Sequence, residues 1–247
     1  SRNETWKFIT FYKFSVTDGR EMFETLKGRI PKSIDEDEYR KFAVMVALLK
    51  QEDGLYVVFE KRAGGLKRQP GEICLPGGAR DGNESSEENA IREMMEELKI
   101  SREQIRMIAQ MDTLYTAYDN KVSVYLCELT DYEMTYNTDE VAEIFTVPLK
   151  FFIEIEPAAY VNTVRLLPPD NFPYEQIPGG RNYHWRDGHK KVYFYYYKDW
   201  IIWGLTAYVL RGVVRTLKAE LPGIECGKLG VEKLANRYNE KMKRGMI

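Results

Sequence analysis

The stretch from Gly78 to Ile100, GARDGNESSEENAIREMMEELKI, constrains this chain more than any other part of it. Ser85 followed by Glu88 is a capping box, which predicts a helix starting close to Ser85. At the helical repeat, Ala90, Ile91, Met94, Met95 and Leu98 fall on one side. Glu93, Glu96 and Glu97 gather on the opposite side, at spacings where like charges repel by a few tenths of a kcal/mol per pair. An acidic solvent face gains from interspersed lysines and has none here. Clustered carboxylates suit a hard cation such as Mg²⁺ or Mn²⁺, which takes oxygen ligands. Taken alone, an E-x-x-E-E run is more often a solvated face.

The rest of the stretch changes that balance. Gly78 is followed after five residues by Glu84, then after seven by Arg92-Glu93, and Glu96-Glu97 and Ile100 complete the spacing. This resembles the Nudix box, G-x5-E-x7-R-E-U-x-E-E-x-G-U, where U is aliphatic. Lys99 stands where the family has glycine. That glycine would supply an easy left-handed helix cap, and a lysine there still interacts well with the negative helix end.

The resemblance implies hydrolysis of a diphosphate joined to another moiety, with Mg²⁺ or Mn²⁺ as cofactor. Such ions neutralise phosphate charge and make water nucleophilic. Carried over residue by residue, Glu96 and Glu97 are expected as metal ligands, and Glu93 as a further ligand or the water-activating base. Gly78 is expected in the metal shell. Arg92 would orient a carboxylate through a charge-assisted bond. Glu84 either joins the metal shell or pairs with Arg92.

Upstream, Phe42–Lys50 and Leu55–Lys61 read as strands joined by Gln51-Glu52-Asp53-Gly54, a hairpin signal. The loop from Arg62 to Gly78 carries glycines and prolines that let backbone approach a ligand, and Arg62, Lys67 and Arg68 suit an anion. A solvated loop explains those cations about equally well. This loop resembles the second signature of the coenzyme A diphosphatase branch, L-L-T-x-R-S through G-x3-F-P-G-G. Arg62, Lys67 or Arg68, Gly71 and Pro76-Gly77-Gly78 match, while Glu60, Ala63 and Leu75 replace its Thr, Ser and Phe. Arg62, Lys67, Arg68, Gly77 and Gly78 are therefore the expected substrate contacts. Cys74 is not expected as a nucleophile, since activated water needs no covalent intermediate.

Downstream, a short turn leads from Ser101 into a strand ending near Asp112, and Lys121–Thr130 is another strand. Asp139 to Leu149 resembles a segment of the same branch, with Glu140 and Glu143 as candidates to complete the site and Glu143 expected in the metal shell. Tyr160–Leu167 and Lys191–Tyr197 read as strands around a glycine-rich turn, Ile177 to Trp185. His184 and His189 lack a metal-ligand partner. The string Ile202-Trp203-Gly204-Leu205-Thr206-Ala207 opens a helix through about Glu220 and resembles the branch's closing helix.

These readings give an α/β Nudix fold, a mixed sheet sandwiched between helices. Residues 41–216 form its domain. An N-terminal extension, 1–40, holds a strand at Trp6–Val16 and a short helix from Asp18 to Lys27. A C-terminal extension, 217–247, holds an amphipathic helix at Val231–Lys243.

A net charge of −2 argues against a general nucleic-acid surface. Three cysteines without C-x-x-C spacing argue against disulfides and zinc. The longest apolar run, Trp200–Leu210, is too short for a bilayer. The N-terminus shows no signal-peptide pattern, and the C-terminal Gly-Met-Ile is not a peroxisomal address, so a cytoplasmic protein is expected. The expected partner is a small nucleotide substrate, coenzyme A or an acyl derivative cleaved to 3',5'-ADP and (acyl-)4'-phosphopantetheine, with a homodimer admitted. The rivals are another nucleoside diphosphate derivative (ADP-ribose, a dinucleoside polyphosphate or capped RNA), a non-catalytic nucleotide sensor, and a prenyl-diphosphate isomerase. By resemblance, sensors lose box carboxylates, which are all present. The isomerase would not need the Arg62–Gly78 signature.

Overall fold

The computed structural model describes residues 24, 27–31 and 33–221. The strand and the terminal helix expected at Trp6–Val16 and Val231–Lys243 lie outside the described residues, as does most of the Asp18–Lys27 helix. The chain divides into two units, Ser1–Tyr39 and Arg40–Ile247. The described part of the first includes a turn at residues 34–38, in which the Glu38 N–H donates to the Asp35 carbonyl at 2.9 Å.

The second unit is built on strand β1, Arg40–Gln51. Its apolar run Val44 to Leu49 marks a strand covered on both faces. It pairs in parallel with β7 (Asn120–Leu129) and antiparallel with β2 (Gly54–Arg62), through the hairpin in which Gln51 faces Gly54. Among the described residues the sheet has eight strands. β3 (Ile73–Cys74) and β8 (Val141–Pro148) pair with β2, while β4 (Gly77–Ala79) pairs with β1. β5 (Ile105–Gln110) and β6 (Leu114–Tyr115) pair with β7. One parallel pair in an otherwise antiparallel sheet makes it mixed, as expected.

Helix α1 is Ser86–Leu98, capped reciprocally by Ser85 and Glu88. Its Ala90, Met94 and Leu98 are fully buried against Ala43, Met45, Ala47, Val58 and Cys127 on one sheet face. Burying Met94 and Leu98 contributes about 1.5–3 kcal/mol each. The alternate residues of the same strands, Val46, Leu48, Val57, Phe59 and Val124, face the other side. There they meet the short helix α2 (Leu149–Glu154) and the long helix α3 (Gly204–Glu220). The mixed sheet is thus held between helices in an α/β sandwich.

A second sheet of β9 (Ala158–Val164), β10 (Gly188–Tyr197) and β11 (Trp200–Trp203) adds Tyr193, Tyr195 and Ile202 to that core. Here the structure differs from the sequence reading. Ile202 and Trp203 pair with Tyr195 and Phe194 as strand, and α3 starts only at Gly204. Gly204, at φ 62°, turns the chain from one element into the other, a conformation suited to glycine.

Candidate active site

The three box carboxylates do not share one solvent face as helical spacing suggested. Glu96 is exposed, Glu93 is half-buried and Glu97 is buried at 3% exposure. The helix side carrying Glu97 leans on the Gly77–Gly78 backbone rather than on water. Glu97 Oε2 accepts the Gly77 N–H at 2.8 Å. Close approach is possible because both residues lack side chains. A Cβ on Gly77 would lie 2.3 Å from the Ala43 oxygen, and one on Gly78 would lie 2.4 Å from the Glu93 carboxyl carbon.

Arg92 organises the remaining carboxylates. Its Nε and Nη2 donate to the two oxygens of Glu84 at 3.1 and 2.9 Å, a bidentate pair. Nη2 also lies 2.9 Å from Glu93, and Nη1 donates to Glu96 at 3.2 Å. Glu84 accepts the Asp81 N–H as well, at 2.7 Å. Arg92's bonds, then this N–H, hold the Glu84 carboxyl down to about 2. Of the two roles open to Glu84, pairing with Arg92 is the one the geometry displays. Glu93 is pushed up by partial burial, against the pull of Arg92.

Two residues outside the expected set belong here. Asn89 is fully buried, donates to the Gly78 carbonyl at 3.3 Å and accepts from Arg92 at 3.0 Å, tying glycine loop to helix. Glu60 is 1% exposed on β2. By strand alternation it shares the α1 face with Val58. Cys74, its cross-strand neighbour, donates its thiol to Glu60 Oε1 at 3.1 Å, and Oε2 has no partner among the described residues. Glu60 and Glu97 stand beside each other, and burial raises both carboxyls well above their ordinary range. Burial, then the neighbouring Glu60, also pushes the Cys74 thiol up. It is therefore a protonated donor. A glutamate after Val57-Val58-Phe59 was the sequence signal for Glu60.

The basic loop divides. Arg62, half-buried at the end of β2, acts electrostatically on Glu60 and Cys74 and so borders the carboxylates. Lys67 and Arg68 are exposed on the loop beyond. Glu143 sits exposed on β8 opposite Lys61. Glu140, half-buried just before β8, is the downstream acid whose charge bears on Glu60, Glu93 and Glu97. In the glycine-rich turn, Arg181 lies over the Tyr174 ring at 5.1 Å.

Among the described residues, no three carboxylate, imidazole or thiol groups already stand close enough to ligate an ion. Arg92 draws Glu93 and Glu96 to itself, and the Gly77 N–H holds Glu97. The donors nevertheless suit a hard divalent cation in kind. They are oxygens throughout, and one buried carboxylate oxygen has no compensating donor. Among the described residues no helix is long and apolar enough to cross a membrane.

Comparison with known proteins shows the family. The chain is 33% identical over 139 residues to the peroxisomal coenzyme A diphosphatase NUDT7 of Mus musculus, covering 53% of this chain and 59% of that protein. It is 27% identical over 153 residues to Nudix hydrolase 3 of Caenorhabditis elegans, covering 58% of this chain and 64% of that one. The chain thus spans less than two thirds of either relative. Among solved structures, a MutT/nudix family protein from Enterococcus faecalis is 16% identical with a TM-score of 0.43, covering 84% of this chain and 72% of that one. The NUDIX domain model matches residues 39–166, about half of the chain, and spans the glycine loop, the box helix and Glu140. The chain belongs to the NUDIX domain family.

Proposed function

We propose that the chain is a metal-dependent diphosphatase that hydrolyses coenzyme A or an acyl-coenzyme A to 3',5'-ADP and (acyl-)4'-phosphopantetheine. Its domain is taken as residues 41–216. The observation that carries the reaction is the arrangement of Glu93, Glu96 and Glu97 around Arg92 and the Gly77–Gly78 backbone. Glu93, Glu96, Glu97 and the Gly78 carbonyl would hold Mg²⁺ or Mn²⁺. Bound there, such an ion neutralises diphosphate charge and acidifies water. Arg92 keeps Glu84 and Glu96 in place, and Glu93, set against the Gly78 backbone, would either complete the ligand set or take the proton from the attacking water. The water oxygen bonds to phosphorus as the P–O anhydride bond breaks, and the leaving phosphate departs with the bond's electron pair. Arg62 borders the site and offers a phosphate contact; Lys67 and Arg68 lie farther along the exposed loop, where they suit the peripheral 3'-phosphate.

The substrate class rests on the Arg62–Gly78 signature and on similarity to a protein named coenzyme A diphosphatase. The departures at Glu60, Ala63 and Leu75 favour, as second reading, another nucleoside diphosphate derivative such as ADP-ribose. A cytoplasmic location completes the proposal, and a homodimer is compatible with it. Incubation with coenzyme A, ADP-ribose and diadenosine polyphosphate separately, with Mg²⁺ or Mn²⁺, tests it by chromatography of the products. Release of 3',5'-ADP from coenzyme A, much faster than turnover of the others, is expected. Faster turnover of another substrate discards the coenzyme A assignment and keeps the reaction. Full activity in a folded Glu97→Gln variant would refute the metal assignment itself.

A further inference from the structure

A strand carboxylate facing a box carboxylate is a construction that helical spacing does not account for. Glu60 takes a position on β2 where its neighbours Val57, Val58 and Phe59 are apolar and fully buried. Its Oε1 receives the Cys74 thiol at 3.1 Å, and its Oε2 is buried with no donor among the described residues. On the neighbouring α1, Glu97 is nearly as deep, with one oxygen on the Gly77 N–H. Arg62 bears on Glu60 electrostatically but forms no ion pair with it among the described residues. Two ionised carboxylates buried side by side repel, and each is separated from water that would screen it. A shared proton or a cation between them relieves this. Oε2 has no N–H or thiol donor among the described residues; besides Cys74 the group set against the Glu60 carboxyl is Glu97 itself, so an ion bound there displaces a shared proton and no other donor.

We propose that Glu60 is an additional ligand of the divalent metal site, supplying Oε2 to the ion that Glu97 holds and closing the site on its β2 side. This rests on the metal-dependent reading above. The ligand set is then drawn from both the helix and the strand, and the ion links α1 to the sheet. A threonine, which the resembled signature has at this position, would offer only a neutral hydroxyl. The chain therefore holds its ion more tightly than a threonine-bearing equivalent.

The test is Mn²⁺ binding by the full chain without substrate, followed by the electron paramagnetic resonance signal of free Mn²⁺. Wild type, Glu60→Gln, Glu60→Thr and Glu97→Gln are compared, and circular dichroism confirms the fold of each. Removal of a ligand or its close support typically weakens binding by about 10–100-fold. Both Glu60 variants should fall in that range, and Mn²⁺ should raise their melting temperatures less than it raises that of wild type. Glu60→Gln is nearly isosteric and removes a repulsion, so its metal-free form should melt no lower than wild type. Should Glu60→Gln lose its fold, Glu60→Asp keeps the charge and must bind more tightly than Glu60→Thr. Wild-type affinity in the Glu60 variants, with binding lost in Glu97→Gln, overturns the Glu60 assignment alone and leaves a shared proton as its explanation. No binding by wild type, or equal binding by all four proteins, overturns the metal reading and the proposal together.

Discussion

Gly77 and Gly78 are adjacent, yet alanine at each should fail differently. At Gly77, φ is 147°, and a Cβ would stand 2.3 Å from the Ala43 oxygen and 2.7 Å from the Val44 Cα. Both obstacles are backbone of β1, which is paired on its other side to β7 and cannot retreat. The unfavourable dihedral costs about 1–3 kcal/mol and the overlap a similar amount, so Gly77→Ala should lose about 2–6 kcal/mol. Against a total stability of about 5–15 kcal/mol that is a large fraction. It corresponds to a drop of roughly 5–20 °C in melting temperature for a domain of this size. At Gly78 the obstacle is the Glu93 carboxyl, with its carbon and oxygens 2.4–2.6 Å from the new Cβ. That is the far end of a flexible side chain, and it can swing aside. Gly78→Ala should therefore melt within about 3 °C of wild type. Its turnover should fall about 100-fold, because Glu93 is displaced by an ångström or more. Thermal unfolding by circular dichroism and steady-state hydrolysis of the best substrate separate the two effects. A Gly77→Ala protein as stable as wild type, or a Gly78→Ala protein with full turnover, would refute the close-approach argument.

Lys99, the helix C-cap, sits in the left-handed region at φ 54°, so Lys99→Gly should stabilise by about 0.5–1 kcal/mol, read as a small rise in melting temperature. Ser85→Ala removes an acceptor that holds the Glu88 N–H at 3.2 Å and should cost about 1 kcal/mol, measured by urea unfolding. Glu60 and Glu97 titrate in the folded chain above their ordinary 4.5, so the folded state holds protons that the unfolded state releases. The stability they lend is complete below the unfolded value and declines as pH rises through the folded ones. The melting temperature of the metal-free protein should thus fall from about pH 5 to about pH 10, most steeply below about pH 7, and Glu60→Gln should flatten the lower part of that slope. The groups facing the pair are Cys74, Arg62, Glu93, Tyr132 and Glu140. An equally steep slope in Glu60→Gln would show that other groups set it.

Local information determined much of this protein. The capping box placed the start of α1 because its hydrogen bonds close within four residues. The apolar stripe of Ala90, Met94 and Leu98 named the buried face, because helical period alone groups them. The hairpin between β1 and β2 followed from four consecutive residues. Box spacing identified Arg92 and its acidic partners, since a charge network on one helix is a matter of period. Ile202 and Trp203, the second half of β11, were read as the start of the helix because their strand identity comes only from pairing with β10. β3 and β4 are too short to carry a periodic signal and exist through their partners in β2 and β1.

The site divides along the same line. That Glu93, Glu96 and Glu97 belong together was written in the sequence; that Glu97 is buried and Glu96 exposed was not. Burial depends on what lies opposite the helix, and opposite Glu97 lie the Gly77 N–H and a strand carboxylate 37 positions earlier in the chain. Glu140 rather than Glu143 bears on the carboxylates because Glu143 lies opposite Lys61, one residue out of step with Glu60, and so points to the other face of the sheet. Period and motif thus fixed which groups the protein possesses. Only the packing of α1 across the sheet decided which of them are desolvated, because desolvation is a property of neighbours in space.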